Sequence, residues 1–400
     1  MLRRIAGFEA AGVRVLACTF WRHRDNCKKL PDRADILLGE TADGDHLGRL
    51  WQLVGATRVI WSRRRQLSPA TVFYVRNLDM AVLGWFAQTV SRSKSQFVYE
   101  VLDVHPRMLG KGVLARLLRW AERRVLAHAQ LLVVSSPGYI NHYFVPAQRY
   151  GGKWFLLENK LVAATLREDG PYVRGKAKQK LDAIKGQRLI IGWFGKLRCS
   201  RSLSMLARLC EALPEKVMVY ARGYPTSIDP GIFHKVISQH PNLIFDGEFS
   251  FGELPDIYDA VDFVWNFDYF LAGGTSDWLL SNRIYQSGFF GVPALASSRT
   301  QTGRRIEELG MGWTFSEPVE QHLSDFLDRV TPQELSAMKA HMASLPRNLF
   351  CDENDVRRLV VTCSPGAAQK WSGVLEAEAP RISGPTGSGK FGGQGSPEFD

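Results

Sequence analysis

The stretch from Val261 to Ala296, VDFVWNFDYFLAGGTSDWLLSNRIYQSGFFGVPALA, constrains the fold more than any other part of the chain. Its apolar run Phe263 to Phe267 reads as a strand that ends at Asp268 and a Gly273-Gly274 loop. A helical segment opens near Ser281-Asn282-Arg283 and stops at Gly291-Val292-Pro293, before a second short strand. Strand–loop–helix–strand units bind ligands at the carboxyl end of the strand and the amino end of the helix. Arg283, beside the unpaired N–H groups of a helix start, suits a diphosphate there.

The same alternation extends along most of the 400 residues. In the first half, strands are expected over Val13 to Phe20, Thr57 to Trp61, Thr71 to Val75, Gln96 to Leu102, Leu131 to Ser135 and Trp154 to Leu157. Helical patterns fall between them, at Asp45 to Val54, Met80 to Val90 and Gly112 to Ala129. The second half restarts with a strand over Arg188 to Phe194 and continues through Lys216 to Ala221, Asn242 to Asp246, Val261 to Asn266 and Ala294 to Ala296, with a helix near Thr331 to Leu345. This order predicts an α/β chain with two doubly wound, Rossmann-like domains, at 1–166 and 188–345. The charged segment 167–187 is the expected linker; 346–372 forms a C-terminal segment, and the Gly/Pro/Ser-rich 373–400 a disordered tail. The chain opens on a helix, MLRRIAGFEAAG, where such a domain ordinarily begins with its central strand, so the expectation is a missing strand or an upstream start.

Charge is unevenly placed. Residues 1–170 carry 26 Lys and Arg against 14 Asp and Glu, a net +12 within a chain of net +11. Only the first half therefore faces a polyanion, for which nucleic acid and an anionic membrane are the two candidates. No helix-turn-helix, zinc-finger or RNA-binding aromatic pattern supports nucleic acid. No apolar run approaches the roughly 18 residues that span a bilayer. The six cysteines form no CxxC or Cys/His spacing for zinc, and no metal site is expected.

Several motifs bear on chemistry. Gly195-Lys196-Leu197-Arg198 ends the first strand of the second half, with Arg201 near the next helix start; glycine admits a phosphate and the cations neutralise it. Asn282, Arg283 and Gln286 share the helix start described above, and Thr302-Gly303 follows the next strand, as backbone donors or as a simple turn. In the first half, Asp103 stands just past a strand end, where an acid serves either as a helix cap or as a base, and His105 is a weaker rival. Arg76 and Asn77 end another strand in the same way. Arg116, Arg119 and Arg123 form a cationic stripe, readable as a solvated face or as a membrane contact. Asp43-Gly44-Asp45 imitates a metal-binding DxD but fits a turn and helix cap better. Gly384 to Lys390 imitates a P-loop with Phe391 where Ser or Thr belongs.

The phrases YEVLDVHPRMLG, ERRVLAHAQLLVVSSPGYI, VDFVWNFDYF and WLLSNRIYQSGFFGVP resemble bacterial exopolysaccharide glycosyltransferases of the GT-B class, chiefly the succinoglycan-type glucosyltransferases and more distantly the xanthan glucuronosyltransferase. The resemblance covers about residues 1–345. It implies two Rossmann-like domains facing each other across a cleft, and an inverting, metal-independent transfer of a hexose from a UDP-sugar to a polyprenyl-diphosphate-linked oligosaccharide, without a cofactor. It further implies a place at the inner face of the cytoplasmic membrane. In the second domain, Gly195, Lys196, Arg201, Asp268, Asn282, Arg283, Gln286, Thr302 and Gly303 would hold the donor. In the first, Asp103 would act as base, Arg76, Asn77 and His105 would meet the acceptor, and Arg116, Arg119 and Arg123 the membrane. Many retaining relatives carry two glutamates where this chain has Trp278 and Gln286, which favours inversion. A retaining enzyme and a non-catalytic scaffold of the same fold are the alternatives.

Overall fold

A computed structural model describes residues 2–21, 34–40, 46–162, 175–352 and 354–363. Asp43 to Asp45, the P-loop-like string, the first part of the expected linker (167–174) and the tail lie outside them. Twelve strands are found among the described residues, all pairing in parallel. β1 (Cys18–Trp21) and β2 (Ile36–Glu40) form a separate pair. β3 (Val72–Arg76), β4 (Gln96–Val101), β5 (Leu131–Val134) and β6 (Trp154–Leu156) form a sheet in that order. β7 (Leu189–Leu197), β8 (Val217–Pro225), β9 (Leu243–Phe245), β10 (Phe263–Trp265), β11 (Ala294–Ser297) and β12 (Gly312–Phe315) form the second sheet.

The second sheet has the order β12-β11-β10-β7-β8-β9. The chain reverses its direction of winding between β7 and β10, so the loops leaving those two strands diverge and open a crevice. Its strands are buried on both faces: Trp193, Val219, Phe263 and Leu295 on one side, Phe194, Tyr220 and Val264 on the other. In the first sheet, Phe97, Tyr99, Leu132 and Val134 form the core beneath the helix Val113–His128. The helix Asp355–Cys363 returns to that sheet's other face, where Leu359 and Cys363 pack on Val98, Val133 and Phe155.

Three expectations need correction. Thr57 to Trp61 is not a strand but part of the 22-residue helix His46–Leu67. Its β-branched residues suggest a strand locally, yet Leu53, Ala56, Ile60 and Leu67 recur at helical spacing and pack under the helix. The described part of the expected linker forms a helix, Lys176–Lys185, docked through buried Ala177 and Leu181. The Asp256 carboxylate accepts hydrogen bonds from the Gly175 and Ala177 N–H groups at its start, at 2.7 and 2.9 Å. The short strands β2 and β12 were not foreseen. On the question of a missing central strand, β3 is an edge, and no other described strand but β4 pairs with it.

The opening helix, Leu2–Ala10, packs beside that edge. Phe8 meets Tyr74 edge-on, and the Arg4 guanidinium reaches Glu100 at 2.8 Å. Glu100, 1% exposed, also takes Arg76 at 2.7 Å. Replacing Glu100 by Ala leaves two cations facing a void. Chemical denaturation should show a loss of about 3 kcal/mol, the low end for breaking a buried ion pair, because Arg76 keeps some water.

Candidate active site

The carboxyl ends of both sheets meet at one cleft. On the first sheet, β5 runs into Ser135 and Ser136, and Ser136 Oγ donates to the Trp278 carbonyl at 2.5 Å. Gly138 approaches the same carbonyl so closely that a Cβ would lie 2.2 Å from its oxygen. His142 stacks on the Trp278 ring, with centroids 5.6 Å apart. Trp278 therefore ties the second sheet's loop to the first, and this role gave no signal in the sequence beyond its place in the loop.

The loops leaving β7 and β10 meet as their topology requires. Gly195 holds φ +98°, and Gly223 of β8 lies against its carbonyl with no room for a side chain. Lys196 is exposed above Tyr224, 5.9 Å from the ring centre. Arg198 Nη2 donates to Asp268 Oδ2 at 2.8 Å, and its guanidinium covers Phe270. Arg201 stacks on Tyr269 at 4.1 Å and stands 3.6 Å from Glu317. Arg198 was visible in the sequence as a cation at a strand end but stood outside the residues expected to hold the donor. Burial raises the Asp268 carboxyl, but Arg198, the Phe270 N–H and Arg283 outweigh it and hold Asp268 below the ordinary carboxylate range.

Arg283 lies in the first turn of the helix Asn282–Phe290, capped by Ser281 Oγ. Its Nη1 is buried with no hydrogen-bond partner. Burial pushes the guanidinium pKa down, against the attraction of Asp268, so the site holds a cation short of acceptors. Asn282 is exposed beside it. Gln286 points to Tyr258, whose hydroxyl donates to Gln286 Oε1 at 2.8 Å.

The Thr302 hydroxyl and the Gly303 N–H are both engaged away from the cleft. Thr302 Oγ1 accepts from the Ser281 N–H and donates to the Leu279 carbonyl, both at 3.0 Å. The Gly303 N–H is taken by Thr300 Oγ1, and a Cβ on Gly303 would meet the Ser297 carbonyl at 2.0 Å. Thr302 thereby braces the loop that aims the Arg283 helix, and Gly303 allows its own helix to start close against β11. Arg299 was missed; it follows β11 and pairs with Asp277 at 3.1 Å.

On the first sheet, Asp103 lies exposed past β4, and Tyr139 Oη donates to its Oδ1 at 3.3 Å. Desolvation by the cleft walls raises the Asp103 carboxyl, opposed by Tyr139 and by Arg198 across the cleft. Asp103 is not the cap of the following helical turn. His105 fills that place, its Nδ1 accepting from the Arg107 N–H at 3.2 Å. Arg76 is held by Glu100 and Asn77 turns at φ +68° to end β3, exposed and without a capping bond from its side chain. Among the described residues, no three His, Cys, Asp or Glu side chains group to hold a metal ion.

Over 335 residues the chain is 34% identical to the succinoglycan biosynthesis protein ExoL of Rhizobium meliloti (strain 1021), covering 82% of this chain and 81% of ExoL. The chain belongs to the ExoL family of GT-B glycosyltransferases. Anabaena HepE, solved with UDP and glucose, superposes with a TM-score of 0.63 at 18% identity, over 93% of this chain and 95% of HepE. Sucrose-phosphate synthase of Thermosynechococcus elongatus gives 0.60 at 13% identity, over 94% and 92%. Those two likenesses concern the fold. No family model matches the chain.

Thr302→Val tests the bracing role. The change leaves the buried Ser281 N–H without a partner, which should cost about 1–3 kcal/mol in thermal or denaturant unfolding. A variant of unchanged stability would return Thr302 to the list of ligand contacts.

Proposed function

We propose that this chain transfers a hexose, with glucose favoured, from a UDP-sugar to a lipid-linked oligosaccharide in exopolysaccharide assembly, inverting the anomeric centre. The unpartnered Arg283 nitrogen, buried at a helix start where the second sheet reverses, carries the reading. A diphosphate supplies the acceptors it lacks, and Lys196 at the end of β7, Arg198 on the loop after it and Arg201 at the start of the next helix, Ser200–Ala212, stand nearby to share the charge. HepE, of similar fold, was solved with UDP-glucose, and ExoL acts in succinoglycan biosynthesis; both support a UDP-sugar and an exopolysaccharide product.

In this mechanism the acceptor hydroxyl enters from the first sheet and attacks the anomeric carbon from the face opposite UDP. Asp103 takes the hydroxyl proton as the new C–O bond forms. The bond to the diphosphate oxygen breaks with its electron pair, and the guanidinium groups stabilise the UDP that leaves. Asp268 orients Arg198, and Gln286, fixed by Tyr258, together with Asn282 lies beside the nucleotide.

We place the protein peripherally at an anionic membrane. No helix among the described residues is long and apolar enough to cross a bilayer. The contact surface differs from the arginine stripe read in the sequence. Arg119 is turned onto the Met108 and Gly110 carbonyls, and Arg123 onto Gln148. The outward face of Val113–His128 is instead Val113, Leu114, Leu117 and Trp120, with Val113 72% exposed and Arg116 and Arg124 alongside. This mixture of apolar side chains and cations suits the headgroup boundary.

Arg283→Ala should weaken UDP binding by about 1.5–3 kcal/mol, the range for a hydrogen bond to a charged group. Titration calorimetry with UDP reads this directly, and an unchanged affinity removes Arg283 from the donor site.

Asp103→Asn should keep the fold and UDP affinity while losing at least about 10²-fold in turnover. Since the base works only when ionised and its pKa is raised, wild-type kcat/KM should fall as pH drops through a value above the ordinary 3.8. The product of an α-linked UDP-sugar should be β-linked by NMR. An α-linked product would sink the inverting mechanism and favour the retaining one.

A further inference from the structure

The helix His46–Leu67 carries an outward stripe that the reaction does not use. Trp51, Val54, Arg58, Trp61 and Arg65 recur at spacings of three and four, so they lie along one face. All five are exposed, and Trp51 is 76% exposed. The opposite face, with Ala56, Ile60 and Leu67, is buried against β2 and the helix Leu78–Ser91. No acidic side chain occurs between Trp51 and Leu67, whereas Arg58, Arg63, Arg64 and Arg65 do. Arg64 folds back over the Trp61 ring at 4.8 Å. Two tryptophans about 15 Å apart along a helix axis are an expensive exposure for a protein in water.

The placement of this helix matters as much as its composition. The strands β3, β4 and β5 follow one another in order, and right-handed crossovers put their connecting helices, Leu78–Ser91 and Val113–His128, on one side of the sheet. His46–Leu67 packs against Leu78–Ser91, which packs against Val113–His128. His46–Leu67 is thus set beside this layer by the middle helix, which itself carries exposed Val82.

We infer that the Trp51–Trp61 stripe is a second lipid-contact surface, which engages an anionic bilayer together with Val113–His128 and lays the helical layer flat on it. This rests on the peripheral docking proposed above and adds the second helix as partner. The occupant is an anionic lipid surface because tryptophan rings sit at the headgroup level and arginines meet its negative charge. Two contact helices, with Leu78–Ser91 between them, also restrain tilt about either helix axis, which a single helix leaves free.

Flotation with phosphatidylcholine/phosphatidylglycerol vesicles tests the inference. The variant Trp51→Ser/Trp61→Ser/Arg58→Gln/Arg65→Gln should partition at least about tenfold less, or about 1.4 kcal/mol. Leu114→Ser/Leu117→Ser/Trp120→Ser should show a comparable loss, and both should keep the wild-type circular dichroism and UDP affinity. Should the four-residue variant misfold, Arg58→Gln/Arg65→Gln alone must lower binding to these vesicles and leave any binding to pure phosphatidylcholine unchanged. Full binding by the stripe variant, with loss only in the Leu114 variant, overturns the second contact but leaves peripheral docking standing. Full binding by both variants overturns docking through this layer altogether. Displacement of wild type from vesicles by duplex DNA at equal phosphate concentration overturns the lipid assignment in favour of a general polyanion surface.

Discussion

The cleft depends on the carbonyl oxygen of Trp278. It is a backbone acceptor on the second sheet's side, satisfied by a hydroxyl from the first, Ser136. Only glycine can stand beside it at position 138. These contacts set how near the two sheets' carboxyl edges come, and so where Asp103 lies relative to Arg198. A larger side chain at either place would separate an acid from the cations it faces.

Charge in the cleft is arranged as a chain rather than as isolated pairs. Asp268 holds Arg198, Arg198 moderates Asp103, and Arg283 sees Asp268 without bonding to it. Low local polarity strengthens each link and makes the unpartnered nitrogen of Arg283 costly. The Thr302 hydroxyl and the Ser281 cap hold that nitrogen in place. Stability is thus given up at one atom, and the surrounding loop is overdetermined to keep it there.

Much of this was legible in the sequence, because parallel strands are short apolar runs that end in polar loops. The strands around Tyr99, Val133, Ile191 and Val264 could be read that way, and with them the strand-end positions of Asp103, Gly195 and Asp268. The helix 46–67 was misread in part because Thr57, Val59 and Ile60 are β-branched, while the evidence for a helix lies in contacts with distant β2 and with Leu83. The functions of Arg76, His105, Thr302 and Gly303 were not legible for a related reason. Arg76 and Thr302 are taken up by partners that only the fold brings near, Glu100 and Ser281, while His105 and Gly303 are engaged within their own turns by Arg107 and Thr300. Spacing can bring a residue to a strand end; it cannot show which hydrogen bonds are already taken.

The two chain crossings behind the cleft are stitched together. Leu161 donates its N–H to the Phe350 carbonyl at 2.9 Å and accepts from the Asp352 N–H at 2.7 Å, forming a parallel bridge with Cys351. Nearby, Glu158 pairs with Arg305 across the same boundary, and Lys160 with Asp355 at 2.7 Å. Two separate tethers would let the halves slide and twist independently. Joined by backbone hydrogen bonds, they act as a single pivot, so displacement grows with distance from Leu161 like the tip of a lever. The Trp278 contact, between a hydroxyl, a glycine and a stacked ring, is then the far end of that lever, where the cleft opens or closes most.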